Sequence, residues 1–430
     1  MLRRLSSRAL ASLYDESKER MQPSDRQDWL NLRLAKQIHF AYRHAPAVRI
    51  ALDRAGVPPR HLKCIKDLER LPVTTKDDLL KLQRADPPFG GLLAVPLNSL
   101  NRIYVSPGPM FDAFGNERVR ATLRSFVRRG LPKRGDIVMV STAYHMVPAG
   151  LLVTDALDAL GCTVIPAGTG QTELQVRILH DLKATAIFSF PSFVMTILQK
   201  AEEMGYDIRR DFNLRYVSGG GEKHIQLLRK IFEQKYGLVV NDSYGTADLG
   251  PVAYDCGLGT GYHYEDQEAI IEIVDPQTGK QAKPMEVGEI VVTLLSRTYP
   301  LVRFGTGDLA SYTVDQCGCG RTAPRITRIM GMIGEHIRVK GMFVHMRELD
   351  EAFSGLPEVL RYQLLLKLDG HRDRIELKAE TRATANRGIL SELITRRCQE
   401  VFKLKIDEIE FLPSGTLAAD CKKVIDTRWT

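Results

Sequence analysis

A chain of 430 residues is too long for one ordinary core, and its 44% hydrophobic and 26% charged composition excludes a disordered chain. No apolar run approaches the roughly 20 residues a membrane-spanning helix needs, so no membrane partner is expected. The net charge of +8 favours anionic partners, but the basic residues are scattered with no block interleaved with aromatics, so no nucleic acid is expected.

Met1-Leu-Arg-Arg-Leu-Ser-Ser-Arg8 is Arg- and Ser-rich like an organelle transit peptide. Asp15, Glu16 and Glu19 follow it, with no apolar signal core, so an amphipathic first helix of the mature protein is the expectation. Leu5 to Arg54 reads as helical, with Leu30, Leu32, Leu34, Ile38 and Ala41 near the helical repeat. Thr75 then caps a helix whose first turn is acidic.

From Gly135 to Leu249 short apolar runs alternate with helices. Strands are expected at Asp136–Ser141, Thr163–Pro166, Ala186–Phe190 and from Tyr216, and helices at Pro148–Leu160, Gln171–Leu182 and Ser192–Met204. Such β-α-β units imply a parallel sheet covered on both faces. After Pro251 the texture becomes antiparallel, at Ala269–Asp275 and Gly288–Leu295. After Gly331 a small α+β unit is expected, with helices at Met346–Phe353 and Ile389–Phe402. Its strands are expected at Tyr362–Lys367, Arg374–Lys378 and Glu408–Leu412. Seven cysteines in so long a chain do not make a disulfide scaffold, and a reducing cytoplasm is the default compartment.

Several segments stand out in order. They begin with Tyr104-Val-Ser106-Pro-Gly108-Pro-Met-Phe-Asp112, Ala143-Tyr144-His145-Met146 and Ser218-Gly-Gly220-Gly221-Glu222. Next come Tyr244-Gly245-Thr246-Ala-Asp248 and Pro300-Leu-Val-Arg-Phe-Gly-Thr-Gly-Asp308. Cys256 and His263 precede Cys317-Gly-Cys319-Gly-Arg-Thr. The last are Gly331-Met-Ile-Gly334 and Gly415-Thr-Leu-Ala-Ala-Asp420-Cys-Lys422-Lys423-Val-Ile-Asp. Glycines after a strand let a backbone approach a ligand closely, although such a segment is often only a turn. The cysteines alone suit a metal knuckle or free buried thiols equally.

Collinear over Leu71 to Arg428, these segments resemble the phenylacetate–coenzyme A ligase family of adenylate-forming enzymes. The resemblance implies an α/β adenylate-forming fold. Its large N-terminal domain, residues 1–333, would carry parallel sheets and a barrel-like subdomain, and residues 334–430 would form a small α+β cap. By resemblance, Gly220, Gly221 and Glu222 line the adenine pocket and Tyr244, next to Gly245, packs on adenine. Thr246 stands beside the usual α-phosphate hydroxyl position, which is Ala247, and Asp248 helps hold Mg²⁺ through hard oxygen. Asp308 accepts both ribose hydroxyls. Cys256, His263, Cys317 and Cys319 hold a structural Zn²⁺. Gly334 is the hinge, and Tyr144 and His145 lie near the acyl pocket.

Three stretches depart from the family pattern. Two arginines before Asp308 are replaced by Gly305 and Gly307. The phosphate loop, Ser-Ser-Gly-Thr-Thr-Gly-Lys-Pro in the family, keeps Ser106 and Gly108 but loses both threonines and the lysine. Pro109 lacks an N–H, and Asp112 stands for the lysine. Asp420 falls on the catalytic lysine position, leaving Lys422 or Lys423 as substitutes, or a basic tail with no catalytic role.

The implied activity is ATP-dependent conversion of an aromatic or similar carboxylate, through an acyl-adenylate, to a coenzyme A thioester. The partners are the carboxylate and coenzyme A, and homodimerisation is left open. The alternative is a degenerate homologue that binds AMP, acyl-adenylate or coenzyme A without full ligase activity.

Overall fold

The computed structural model describes residues 15–106, 110–220, 225–332, 336–339, 342–370, 372–402, 404–418 and 420–428. The Arg- and Ser-rich start, Gly108, Gly221, Glu222 and Gly334 lie outside the described residues. Two units are distinguished, Met1–Gly331 and Met332–Thr430.

In the large unit, the helix Pro23–His44 buries Leu30, Leu34, Ile38 and Ala41. Leu32 faces solvent instead, because two residues advance a helix by about 200°, onto the opposite face. Ala45 is extended before Pro46, which restarts the chain as the helix Pro46–Arg54. Thr75 caps Lys76–Ala85 in a reciprocal box with Asp78, which sets Lys76 at the first helical position.

Two strands, β1 (Arg102–Ser106) and β2 (Met110–Phe114), form an antiparallel hairpin with Ser106 opposite Met110. The main sheet then begins with five parallel strands: β3 (Ile137–Val140), β4 (Thr163–Ile165), β5 (Ala186–Phe188), β6 (Tyr216–Gly220) and β7 (Val239–Thr246). Alternate side chains enter two separate cores. Met139, Ile187, Val217 and Val240 pack on one face, and Val138, Val140, Ala186 and Tyr216 on the other. This is the burial that parallel strands require.

β8 (Gly250–Asp255) turns back on β7, and the antiparallel strands follow from that edge: β9 (Tyr262–Tyr264), β10 (Ala269–Val274), β11 (Gly288–Leu294), β12 (Phe304–Thr313) and β13 (Arg325–Met332). The order is β10-β11-β12-β13-β9-β8-β7-β6-β5-β3-β4, one open mixed sheet of eleven strands. The expected barrel-like subdomain is therefore corrected. No closed barrel forms among the described residues, because the reversal at Ala247–Leu249 joins the antiparallel strands to the parallel edge instead of letting them close on themselves.

In the small unit, β14 (His336–Val339) pairs with β15 (Met342–His345). A second sheet has the order β18-β17-β16-β19, from β16 (Val359–Asp369), β17 (Arg372–Thr381), β18 (Glu408–Leu412) and β19 (Val424–Asp426). Leu364, Leu366, Ile375 and Leu377 pack with Leu349, Ile394 and Cys398 from the helices Met346–Ser354 and Arg387–Phe402.

Candidate functional site

The ends of β6 and β7 lie side by side, with Gly220 opposite Ser243. A Cβ on Gly220 would stand 2.5 Å from the Ser243 carbonyl oxygen, so only glycine allows this approach. The next residue, Tyr244, is buried, and its hydroxyl donates to Asp308 Oδ2 at 2.8 Å. Thr306 Oγ1 lies 3.2 Å from the same hydroxyl, accepts from the Asp308 N–H at 3.1 Å and donates to the Ile290 carbonyl at 2.9 Å. Glu289 accepts from the Gly307 N–H at 3.0 Å. Burial, followed by the Asp308 charge, pushes the Tyr244 phenol well up.

Tyr244 and Asp308, 64 residues apart, thus meet as one unit. Thr306 and Glu289 were not among the sequence candidates. The available signal was strand periodicity, which puts Thr306 on the face of Asp308. The missing arginines have a local cause. A Cβ at Gly305 would lie 2.7 Å from Val73 Cγ1, and Gly307 has φ +77°. The backbone at Gly307 favours glycine over arginine, and a side chain at Gly305 would require Val73 and Glu289 to shift.

A second cluster lies where β2 meets the turn after β7. Asp112 is 1% exposed, and neither of its carboxylate oxygens has a hydrogen-bond partner among the described residues. Burial first, and the Asp248 charge second, push its carboxyl up to about 8. Asp248 is 5% exposed, and its Oδ1 lies 3.8 Å from Lys76 Nζ without a hydrogen bond. The Ser106 hydroxyl eases the Asp112 charge but makes no well-formed hydrogen bond. Arg118 spends its guanidinium on the carbonyls of Asp248 and Leu249. Thr246 Oγ1 accepts from the Leu249 N–H at 3.3 Å and so braces the turn that carries Asp248. Gln83 holds Phe111 through both its N–H and its carbonyl, fixing β2 beside the helix that begins at Lys76. Asp112 therefore points inward against Asp248. Lys76 and Arg118, ordinary helix residues in sequence, were not legible as neighbours.

The four candidate metal ligands come together: one ligand atom from each of Cys256, His263, Cys317 and Cys319 lies within 4.8 Å of the others. Cys256 Sγ and Cys317 Sγ are 3.8 Å apart, and Cys319 Sγ and His263 Nε2 are 3.4 Å apart. A tetrahedron with bonds of ~2.3 Å has edges of ~3.8 Å, so three thiolates and an imidazole of this spacing fit zinc. His263 Nδ1 faces the Ala323 carbonyl at 3.2 Å, leaving Nε2 toward the sulfurs. Arg321, following the cysteine pair, donates to Glu19 Oε2 at 2.6 Å and to the Arg128 carbonyl at 2.9 Å. These bonds tie the knuckle to the first described helix, Glu16–Glu19.

Of the proposed acyl-pocket residues, Tyr144 bonds Thr154 Oγ1 at 2.8 Å and packs against the Phe126 core, while His145 is exposed. In the small unit, Lys423 Nζ pairs with Asp350 Oδ1 at 2.6 Å and lies 5.9 Å from the Tyr362 ring. Lys422 is exposed, with its carbonyl held by Gln363 and no ion pair at its ammonium among the described residues.

An AMP-binding enzyme family model matches residues 117–294, which with the relatives that follow puts the chain in the adenylate-forming class. The chain is 30% identical over 376 residues to the phenylacetate-coenzyme A ligase of Thermus thermophilus, covering 84% of this chain and 83% of that one. It is also 30% identical over 387 residues to the enzyme of that name from Escherichia coli, covering 87% and 85%. Among solved structures, 2-hydroxyisobutyryl-CoA ligase in complex with 2-HIB-AMP and CoA matches with a TM-score of 0.88. It is 24% identical and covers 96% of this chain and 92% of that one. The chain belongs to the phenylacetate–coenzyme A ligase family. Among the described residues no helix is long and apolar enough to cross a membrane.

Proposed function

We propose that the protein is a carboxylate–coenzyme A ligase whose substrate is an aromatic acid of the phenylacetate type. In the first half-reaction a carboxylate oxygen attacks the α-phosphorus of ATP, and the bond to the bridging oxygen of pyrophosphate breaks. In the second, the coenzyme A thiolate attacks the acyl carbonyl and AMP leaves. Family membership supports the reaction type. The observation that supports the nucleotide half is the 2.8 Å bond from Tyr244 to Asp308, which orients the carboxylate we assign to ribose. Gly220 and the ring of Tyr244 are assigned to adenine. Asp248 is assigned to Mg²⁺, which when bound offsets phosphate charge during adenylation.

Cys256, His263, Cys317 and Cys319 are assigned to a structural zinc, with no ligand position left for water. Lys422 is the better candidate for the basic group at the acyl phosphate, since Lys423 is engaged by Asp350. Seven free cysteines suit a reducing cytoplasm, where we place the enzyme.

The test is to supply ATP, Mg²⁺, coenzyme A and a panel of aryl and alkyl carboxylates, and to measure pyrophosphate, AMP and thioester. An aryl acid should give all three in equal amounts. AMP binding without pyrophosphate or thioester from any acid would replace this reading with that of a nucleotide-binding homologue, which Asp420 at the lysine position already favours.

A further inference from the structure

Two buried carboxylates meet in the cluster of Ser106, Asp112 and Asp248, and too little positive charge reaches them. Ionised groups removed from water need a partner or a counter-ion, and a buried like-charge pair is the costliest case. Lys76 comes to ion-pair distance of Asp248 alone, at 3.8 Å, with its side chain about one-third exposed (35%), and it and Arg118 only partly offset the Asp112 charge, which burial and Asp248 still outweigh. Arg118 is turned to the backbone carbonyls of the turn. Both oxygens of Asp112, Oδ1 of Asp248 and the Ser106 hydroxyl are buried without a hydrogen bond among the described residues. What remains is a set of hard oxygen donors with an unmet demand for positive charge. A small divalent cation suits such a set, because Mg²⁺ takes one or two carboxylates and keeps its remaining positions for water or phosphate.

We propose that Asp112 and Asp248 together hold one divalent cation of the Mg²⁺ type, with the Ser106 hydroxyl beside it, so that this chain meets a nucleotide's phosphates through a metal at the point where its family's loop carries a lysine. Asp248 alone is the ligand the family resemblance implies. Asp112 is this chain's own addition, and it turns the loss of a lysine from a defect into a change of counter-ion. Ser106 and Met110 flank the loop itself, so the cation lies at its base. The phosphate contact rests on the ligase reading, but the cation site does not and is tested without nucleotide.

Mn²⁺ is the probe, since a thiolate-rich site disfavours it, and its binding to the full nucleotide-free chain is read by electron paramagnetic resonance and calorimetry. Wild type should take up one Mn²⁺. Loss of even an outer-shell partner typically weakens metal binding by about 10–100-fold, so Asp112→Asn and Asp248→Asn should each weaken it at least about tenfold. Melting curves supply the folding control. Without metal, and above pH 8 where the Asp112 carboxyl is ionised, Asp112→Asn should melt above wild type because the buried repulsion is gone, and Mn²⁺ should raise the wild-type transition only. Mn²⁺ binding by Asp112→Asn equal to wild type, or no Mn²⁺ uptake by wild type at millimolar concentration, overturns the proposal. Metal-free AMP binding separates this from the ligase reading. Mn²⁺ uptake without AMP binding sinks that reading and leaves the cation site standing, while AMP binding without Mn²⁺ uptake does the reverse.

Discussion

Asp308→Ala strikes the proposed nucleotide pocket at the carboxylate that Tyr244 holds. In the free protein Asp308 accepts the Tyr244 phenol at 2.8 Å. In the proposed complex its carboxylate also takes the two ribose hydroxyls. A hydrogen bond to a charged group contributes about 1.5–3 kcal/mol, so two of them set a loss of at least ~3 kcal/mol, or roughly 10²-fold in AMP affinity. The fold should survive. After the substitution the buried phenol still has Thr306 Oγ1 at 3.2 Å, so the stability cost should be about 1 kcal/mol. Calorimetric titration with AMP, paired with urea unfolding of the same samples, measures both quantities. Tyr244→Phe serves as a second probe. It keeps the ring that would stack on adenine and removes only the donor that positions Asp308, so its AMP affinity should fall by less than that of Asp308→Ala. Unchanged AMP affinity in Asp308→Ala would refute the reasoning, because the carboxylate would then not be reading ribose. A large loss of stability with little change in affinity would mean that the Tyr244–Asp308 bond is structural only.

Protein purified without added metal should carry about one zinc per chain, and Cys256→Ser should lower both zinc content and melting temperature; a metal-free preparation that melts like the rest would remove the zinc assignment. Glu272→Ala should destabilise the large unit by about 3–5 kcal/mol, because it strands the fully buried Arg303, which Glu272 holds in a two-pronged pair at 3.0 and 3.2 Å. Urea unfolding checks this, and a change below about 1 kcal/mol would show that the Leu71 and Gly279 carbonyls, each 2.6 Å from Arg303, suffice on their own.

The parallel half of the sheet was legible because each of its signals is local. The strand runs are short and apolar, and the helices between them carry their own starts and stops, as at Pro191–Glu203 and Ala149–Leu160. Glu408–Leu412 fell where its alternation put it. The barrel-like expectation failed because a strand in an open sheet and a strand in a barrel have the same pattern; closure depends on which distant edge pairs with which. The hairpin of β1 and β2 was read as a phosphate loop, so its strand pairing went unnoticed. The site divides in the same way. Tyr244 and Asp308 were legible through the family's motifs. The meeting of Asp112 with Asp248 was not, because it joins segments more than a hundred residues apart. Nor was the capture of Lys423 by Asp350, which depends on β16 placing Tyr362 beside both.

Apart from Gly305 and Gly307, the departures from the family pattern fall on groups that the resemblance assigns to phosphate or to the carboxylate under attack. The proposed nucleoside end keeps its glycine approach, its tyrosine and its aspartate. Simple decay of the phosphate end would leave neutral residues there, since an aspartate only 1% exposed and beside a second carboxylate destabilises the fold. Asparagine at position 112 would relieve that repulsion by replacing one carboxylate oxygen with an NH2 group. An ionisable group held at such a cost is what a site under functional demand looks like, because binding sites give up stability for charge placed where a ligand needs it. The inward carboxylate is therefore better understood as half of a cation site than as a broken lysine. On that view the small unit faces the same problem at Asp420, with Lys423 already committed to Asp350, and Lys422 is the lysine beside it whose charge is left to act.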